Sequence, residues 1–108
     1  MKGSNIGEFE ELVLLAVGLL GGDAYGLAVV SELRTQTNRN ITLSAVHKVL
    51  LRLEEKGLLK SNVGGGTKKR GGRRKRIYEL TGAGKDVLIQ TKELRNRMWK
   101  GIPKLVWE

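Results

Sequence analysis

Thirteen consecutive residues, GGGTKKRGGRRKR from Gly64 to Arg76, hold five glycines, seven basic side chains and no acid. Taken alone, such a stretch could be a linker, a phosphate-cradling loop or a basic finger for nucleic acid. Its flanks decide between them. LLKSNV precedes it and RKRIYEL closes it, and both are short β-prone runs. Two such runs around a long glycine-rich loop read as a hairpin with an extended tip. A Walker A loop would need G-x-x-x-x-G-K-[ST], which no window supplies, and the G-x-G-x-x-G fingerprint is also absent.

Charge sharpens this reading. Lys60 to Arg76 carries eight positive charges and no negative one, so the rest of a chain of net charge +9 nets only +1. Basicity gathered in one segment is the electrostatic footprint of a phosphate partner; a solvated charge run and an attraction to acidic lipid are the bland alternatives. The length of 108 residues fits one small domain with an adequate core. There is no cysteine, which excludes disulfides and thiolate metal sites, and a single histidine, His47, cannot build a metal centre alone. The apolar run LVLLAVGLL is too short to span a bilayer and lacks the basic start of a signal peptide, so a soluble cytoplasmic protein is expected.

The remainder reads as helices. Acids lead a dense apolar segment from Glu8 to Leu20, which Gly21-Gly22 stops. Being apolar on most sides, this helix should be heavily buried, in part against a second chain. Asp23 is the expected N-cap of a second helix from Ala24 to about Thr37, with Tyr25 and its apolar side in the core. Thr42 should cap a third, running to about Lys56, in which Val46, Val49, Leu50 and Leu53 recur at inward-facing spacing and Gly57 is the stop. Ser44, His47, Lys48 and Arg52 point elsewhere. Thr81 should cap a last helix, GAGKDVLIQTKELRNRMW, interrupted by Gly101 and Pro103. The fold class is therefore mainly α with a small β-hairpin. In the order helix, helix, helix, hairpin, helix, the second and third helices meet at a short polar turn. That is the layout of a winged helix-turn-helix, in which the third helix enters the major groove and the wing lies beside it. Residues 1–80 form the expected DNA-binding module, and residues 81–108 a C-terminal dimerisation helix within the same compact unit.

Three segments resemble one family. GEFEELVLLAVGLLGGDAYGLAVVSEL is similar to the start of PadR-family transcriptional regulators. LSAVHKVLLRLEEKGLL resembles their recognition helix, and GGRRKRIYELTGAGKDVL their wing return and C-terminal helix, in the short branch with a single C-terminal helix. The resemblance implies a homodimeric repressor whose first and last helices pack on the partner. Its two winged modules would read a pseudo-palindromic operator. In some members small hydrophobic or aromatic ligands relieve repression. Two positions depart from the pattern: His47 stands where the family often has Tyr, and Ala45 where it often has Thr. Ala45 cannot donate a hydrogen bond from its side chain, which shifts weight to Ser44, His47 and Lys48.

The expected DNA contacts are thus Ser44, His47, Lys48 and Arg52 from the third helix, and Lys68, Lys69, Arg70, Arg73, Arg74 and Lys75 from the wing. Arg73 and Arg74 match the family's basic stretch and are expected to outweigh Lys68 and Lys69. The expected dimer interface or ligand pocket is formed by Leu12, Leu15, Val87, Leu94, Met98 and Trp99. Trp99 and Trp107 are read as interface hydrophobes or as a stacking platform for a flat ligand. Trp99 falls about one turn later than the ligand-stacking Trp of some relatives. Tyr78 should be half buried with its hydroxyl near the surface. Catalysis has no support: Glu10-Glu11 and Glu54-Glu55 are adjacent on helices and diverge by about 100°, so they are read as solvent-facing or dipole-favouring charges. No cofactor is expected. The rival readings are a dimeric small-molecule-binding module and a non-specific architectural nucleic-acid binder.

Overall fold

In the computed structural model, described for residues 6–64 and 75–108, four helices surround one antiparallel hairpin. The elements are α1 (Glu8–Leu20), a 3-10 turn (Gly21–Asp23), α2 (Gly26–Thr37), α3 (Leu43–Glu55), β1 (Leu59–Gly64), β2 (Lys75–Leu80), α4 (Gly82–Gly101) and a second 3-10 turn (Lys104–Trp107). The strands pair from Leu59 opposite Leu80 to Gly64 opposite Lys75. This is the winged helix-turn-helix that the order of sequence segments predicts. Among the described residues no helix is long and apolar enough to cross a membrane.

The core lies where α1, α2 and α3 meet the base of the hairpin. Val13, Leu14 and Val17 of α1 pack with Val29, Val30 and Leu33 of α2 and with the α3 stripe Val46, Val49, Leu50 and Leu53. Leu58, Leu59, Tyr78 and Val87 close it from the wing and α4. The helix ends follow their capping chemistry. The Thr42 hydroxyl accepts the Ala45 amide at 3.1 Å, and the Thr81 hydroxyl accepts that of Gly84 at 3.0 Å. Arg34 braces the turn between α2 and α3 by donating to the Ile41 carbonyl at 2.8 Å.

The exit from α3 is a Schellman stop. Gly57 sits at φ 80°, its amide donates to the Glu54 carbonyl, and the Leu58 amide donates to that of Leu53. The same corner holds the root of α4. The Thr81 amide donates to the Leu58 carbonyl at 3.1 Å, and its hydroxyl donates to the Gly57 carbonyl at 2.7 Å. Gly84 packs so tightly on the Leu58 carbonyl that a Cβ there would overlap it.

Three expectations are corrected. Asp23 does not cap α2: it ends the 3-10 turn, and α2 begins at Gly26 with Tyr25 as its cap. The reason is tertiary, because the Ala24 carbonyl accepts the Tyr78 amide at 2.9 Å, holding Ala24 and Tyr25 out of the helix beside the wing strand. Tyr78 is fully buried rather than half exposed, and burial, reinforced by nearby Glu54, pushes its phenol above the ordinary value. Of the two readings of Glu10, its place in the first turn of α1 keeps the dipole-favouring one, but it does not face solvent. It is 8 % exposed, accepts the Gly7 amide at 2.9 Å and pairs with Lys56 at 2.9 Å. Burial opposes its ionisation, but the Gly7 amide, Lys56 and Arg52 outweigh that and hold its carboxyl below the ordinary value. Its neighbour Glu11 pairs with Arg95 at 2.9 Å, tying α4 to α1.

Candidate nucleic-acid interface

One face of α3 is left for a partner. With Val46, Val49, Leu50 and Leu53 turned inward, Ser44, His47, Lys48 and Leu51 lie exposed on the opposite side. Arg52 parts company with them. It lies roughly 140° around the helix from His47, and its guanidinium is 4.0 Å from the buried Glu10 carboxylate. The structure therefore brings Ser44, His47 and Lys48 together and sets Arg52 on the flank toward the start of α1.

His47 occupies the edge of this face nearest α2. A Cβ on Gly26 would come within 3.2 Å of the imidazole, so a glycine at the start of α2 is what lets the ring lie close. Beyond it the base of the wing contributes two cations. The Lys75 ammonium rests 4.0 Å from the centre of the Tyr25 ring. Arg76 donates to the Ser61 hydroxyl at 2.9 Å, and that hydroxyl donates to Glu54 at 2.8 Å, so the wing is braced to the last turn of α3. Glu54 is thus a structural acceptor, not a free surface charge. Tyr25, expected in the core, is only part-buried and acts as the platform for Lys75.

Between α3 and the wing base opens a cleft of about 560 Å³, lined by Leu27, Leu43, His47, Leu51, Lys75 and Arg76 among others. Leu43 and Leu51 are residues that sequence reasoning missed, and Leu27, expected on the packing side of α2, is instead 63 % exposed. The available signal was that Leu51 stands off the apolar stripe of an otherwise regular amphipathic helix. Lys68, Lys69, Arg70, Arg73 and Arg74 lie outside the described residues.

The second candidate surface is formed by α1 and α4. Leu15, Leu94, Met98 and Trp99 are exposed. Leu12 and Leu15 also line, with Leu19 and with Leu33 of α2, an apolar groove of about 150 Å³ between α1 and α2. Val87 does not belong to this surface: it turns inward from the first turns of α4 and is buried in the chain's own core. Trp99 and Trp107 stack on each other, with ring centroids 5.5 Å apart and planes inclined by 13°. Each still exposes about 60 % of its surface, 63 % and 60 % respectively.

The model of the "Transcriptional regulator PadR-like family" matches residues 14–90. Among solved structures, a PadR family transcription regulator from hypervirulent Clostridium difficile is 26% identical, with 87% of this chain and 93% of that one covered and a TM-score of 0.72. A transcriptional regulator from Clostridium thermocellum is also 26% identical, covering 84% of this chain and 85% of its own at a TM-score of 0.64. A PadR-like transcriptional regulator from Bacillus cereus shares the fold at 16% identity, covering 93% and 92% with a TM-score of 0.74. No protein of curated function matches the chain.

Proposed function

Because the chain belongs to the PadR-like family of transcriptional regulators, we propose that it acts in the cytoplasm as a homodimeric, sequence-specific DNA-binding repressor. The observation that carries this reading is the exposed face of α3, where Ser44, His47 and Lys48 are free of the core and His47 lines one cleft with the wing-base cations Lys75 and Arg76. Ser44 and Lys48 can donate to base edges or phosphates, and His47 supplies a further ring donor. The wing residues Lys68, Lys69, Arg70, Arg73 and Arg74 add the phosphate-neutralising charge, with Arg73 and Arg74 foremost. Arg52 contributes from the flank, with part of its charge engaged by Glu10.

Dimerisation is supported by the unpartnered apolar side of the molecule. Leu15 on α1 and Leu94, Met98 and Trp99 on α4 are large, exposed and on the two helices that the family resemblance assigns to the partner contact. Two such modules would span adjacent major grooves of a pseudo-palindromic operator, about 34 Å apart. A small aromatic or hydrophobic ligand at the exposed Trp99–Trp107 pair would act by shifting α4 and so the spacing of the two α3 helices.

Titration of a duplex of its own promoter at several salt concentrations tests the reading. Neutralisation of about six to ten phosphates gives a steep salt slope, and specific binding should exceed binding to scrambled DNA by roughly a thousandfold. A steep slope without promoter preference would make the protein an architectural binder. A shallow slope without preference would leave only the ligand-binding module.

A further inference from the structure

We propose that Leu51 is a specificity-determining residue that reads the 5-methyl group of a thymine in the major groove. The inference deepens the DNA-binding reading above and rests on it. Leu51 has no part in the core: Leu50 and Leu53 beside it are fully buried, whereas Leu51 is 55 % exposed. On the helix surface it is the i+4 neighbour of His47 and the i+3 neighbour of Lys48, the two side chains best placed for DNA. It lines the same cleft as Leu43 and Leu27, and Lys75 and Arg76 line that cleft too.

Leucines and cations lining one open cleft select the occupant. Duplex DNA carries phosphates along both edges of the major groove, and those edges suit Lys48, Lys75 and Arg76. Inside the groove the thymine methyl is the apolar group that the bases present. An apolar side chain there discriminates A·T from the other pairs without any hydrogen bond. The cleft shares no residue with the apolar groove of Leu12, Leu15 and Leu19, so its leucines are not an extension of the surface assigned to the second copy. Leu43, at the first turn of α3, lines the same cleft but lies close to Gly26 and is less exposed, which leaves Leu51 the freer of the two to approach a base.

Uracil differs from thymine only by that methyl, which makes it the probe. The protein first selects its preferred duplex from a randomised library, and each thymine of a half-site is then replaced by uracil in turn. The native chain should lose affinity roughly fourfold at one position, the worth of one buried methyl. Leu51→Ala should bind the thymine duplex that much more weakly and be indifferent to uracil at the same position. Leu51→Met, still apolar, should retain the discrimination. Because Leu51 is exposed, the substitutions leave the fold intact, and sensitivity to a methyl on the DNA does not follow from lost stability. A half-site with no required thymine, a native chain insensitive to uracil everywhere, or undiminished discrimination by Leu51→Ala would each overturn the assignment while leaving sequence-specific binding standing. Failure to select any duplex over scrambled DNA would remove the DNA-binding reading itself, and this inference with it.

Discussion

The ammonium group of Lys75 is held over the ring of Tyr25, joining the first residue of the described wing strand to the residue that caps α2. The contact links two parts of the chain that local sequence would not pair, and it fixes a wing cation relative to the start of α2. A double-mutant cycle with Tyr25→Leu and Lys75→Met should show a coupling of about 0.5–1 kcal/mol in denaturant unfolding. Tyr25→Phe keeps the ring and should leave the coupling in place.

Gly84→Ala should be among the most damaging single-methyl changes in the chain. The added carbon would strike the Leu58 carbonyl, which is backbone and already accepts the Thr81 amide. A loss of about 2–4 kcal/mol is expected in urea unfolding. Gly82→Ala, two residues earlier with nothing within 4 Å, should be neutral or gain a few tenths of a kcal/mol. Equal effects of the two would show that α4 does not dock as described.

Stability should fall with acid through Glu10. Its carboxyl ionises below the ordinary value of 4.5 in the folded chain. Its contribution is therefore complete above that ordinary value and is lost as pH falls through the lower folded one. Glu10→Gln should lower stability at neutral pH by about 1–2 kcal/mol, and should flatten the acid limb of stability measured from pH 6 to 3. An unchanged acid limb would mean that the pair with Lys56 does not form in solution.

Much of the architecture is legible in short stretches of the sequence. The i, i+3, i+4 stripe of α3, the threonine caps at Thr42 and Thr81, and the stop at Gly57 are local signals. The caps and the stop are satisfied by neighbours within a few residues, and the stripe needs only an apolar surface to meet, here that of α1 and α2. What escapes is set by distant partners. Asp23 has the chemistry of an N-cap, yet Ala24 is recruited by Tyr78, which no local pattern records. Glu10 looks like a surface acid because the cations that enclose it, Arg52 and Lys56, come from α3 and its C-terminal cap. The candidate site divides the same way. Ser44, His47 and Lys48 follow from helical phase, while the leucine-lined cleft depends on where the wing base comes to rest.

The two basic pairs of the wing should not be equivalent. Arg73→Ala with Arg74→Ala should reduce the slope of log affinity against log salt by nearly two, at about 0.9 for each phosphate no longer neutralised. Lys68→Ala with Lys69→Ala should reduce it by less. Filter binding from 50 to 300 mM salt measures both, and equal slopes would sink the ranking.

Removing the apolar side of α4 should separate the subunits. Leu94→Glu with Met98→Glu places carboxylates on the exposed stripe without touching the core. Sedimentation should show the native chain at twice the mass of the variant, and the variant should lose most of its affinity for a two-half-site duplex but little for a single half-site. A monomeric native chain would overturn the proposed assembly.

Gly57, Leu58 and Thr81 make one corner that both ends α3 and begins α4. Mechanically this is a fulcrum. The arm that leaves it has 20 residues and is about 30 Å long, so a swing of only 5° at the corner moves its far end by roughly 2.6 Å. Under the proposed regulation, a displacement near Trp99 that also breaks the Arg95–Glu11 pair would reach the end of α3 chiefly as a rotation. Regulation of the kind proposed would thus turn a push at the tail into a change of aim at the groove.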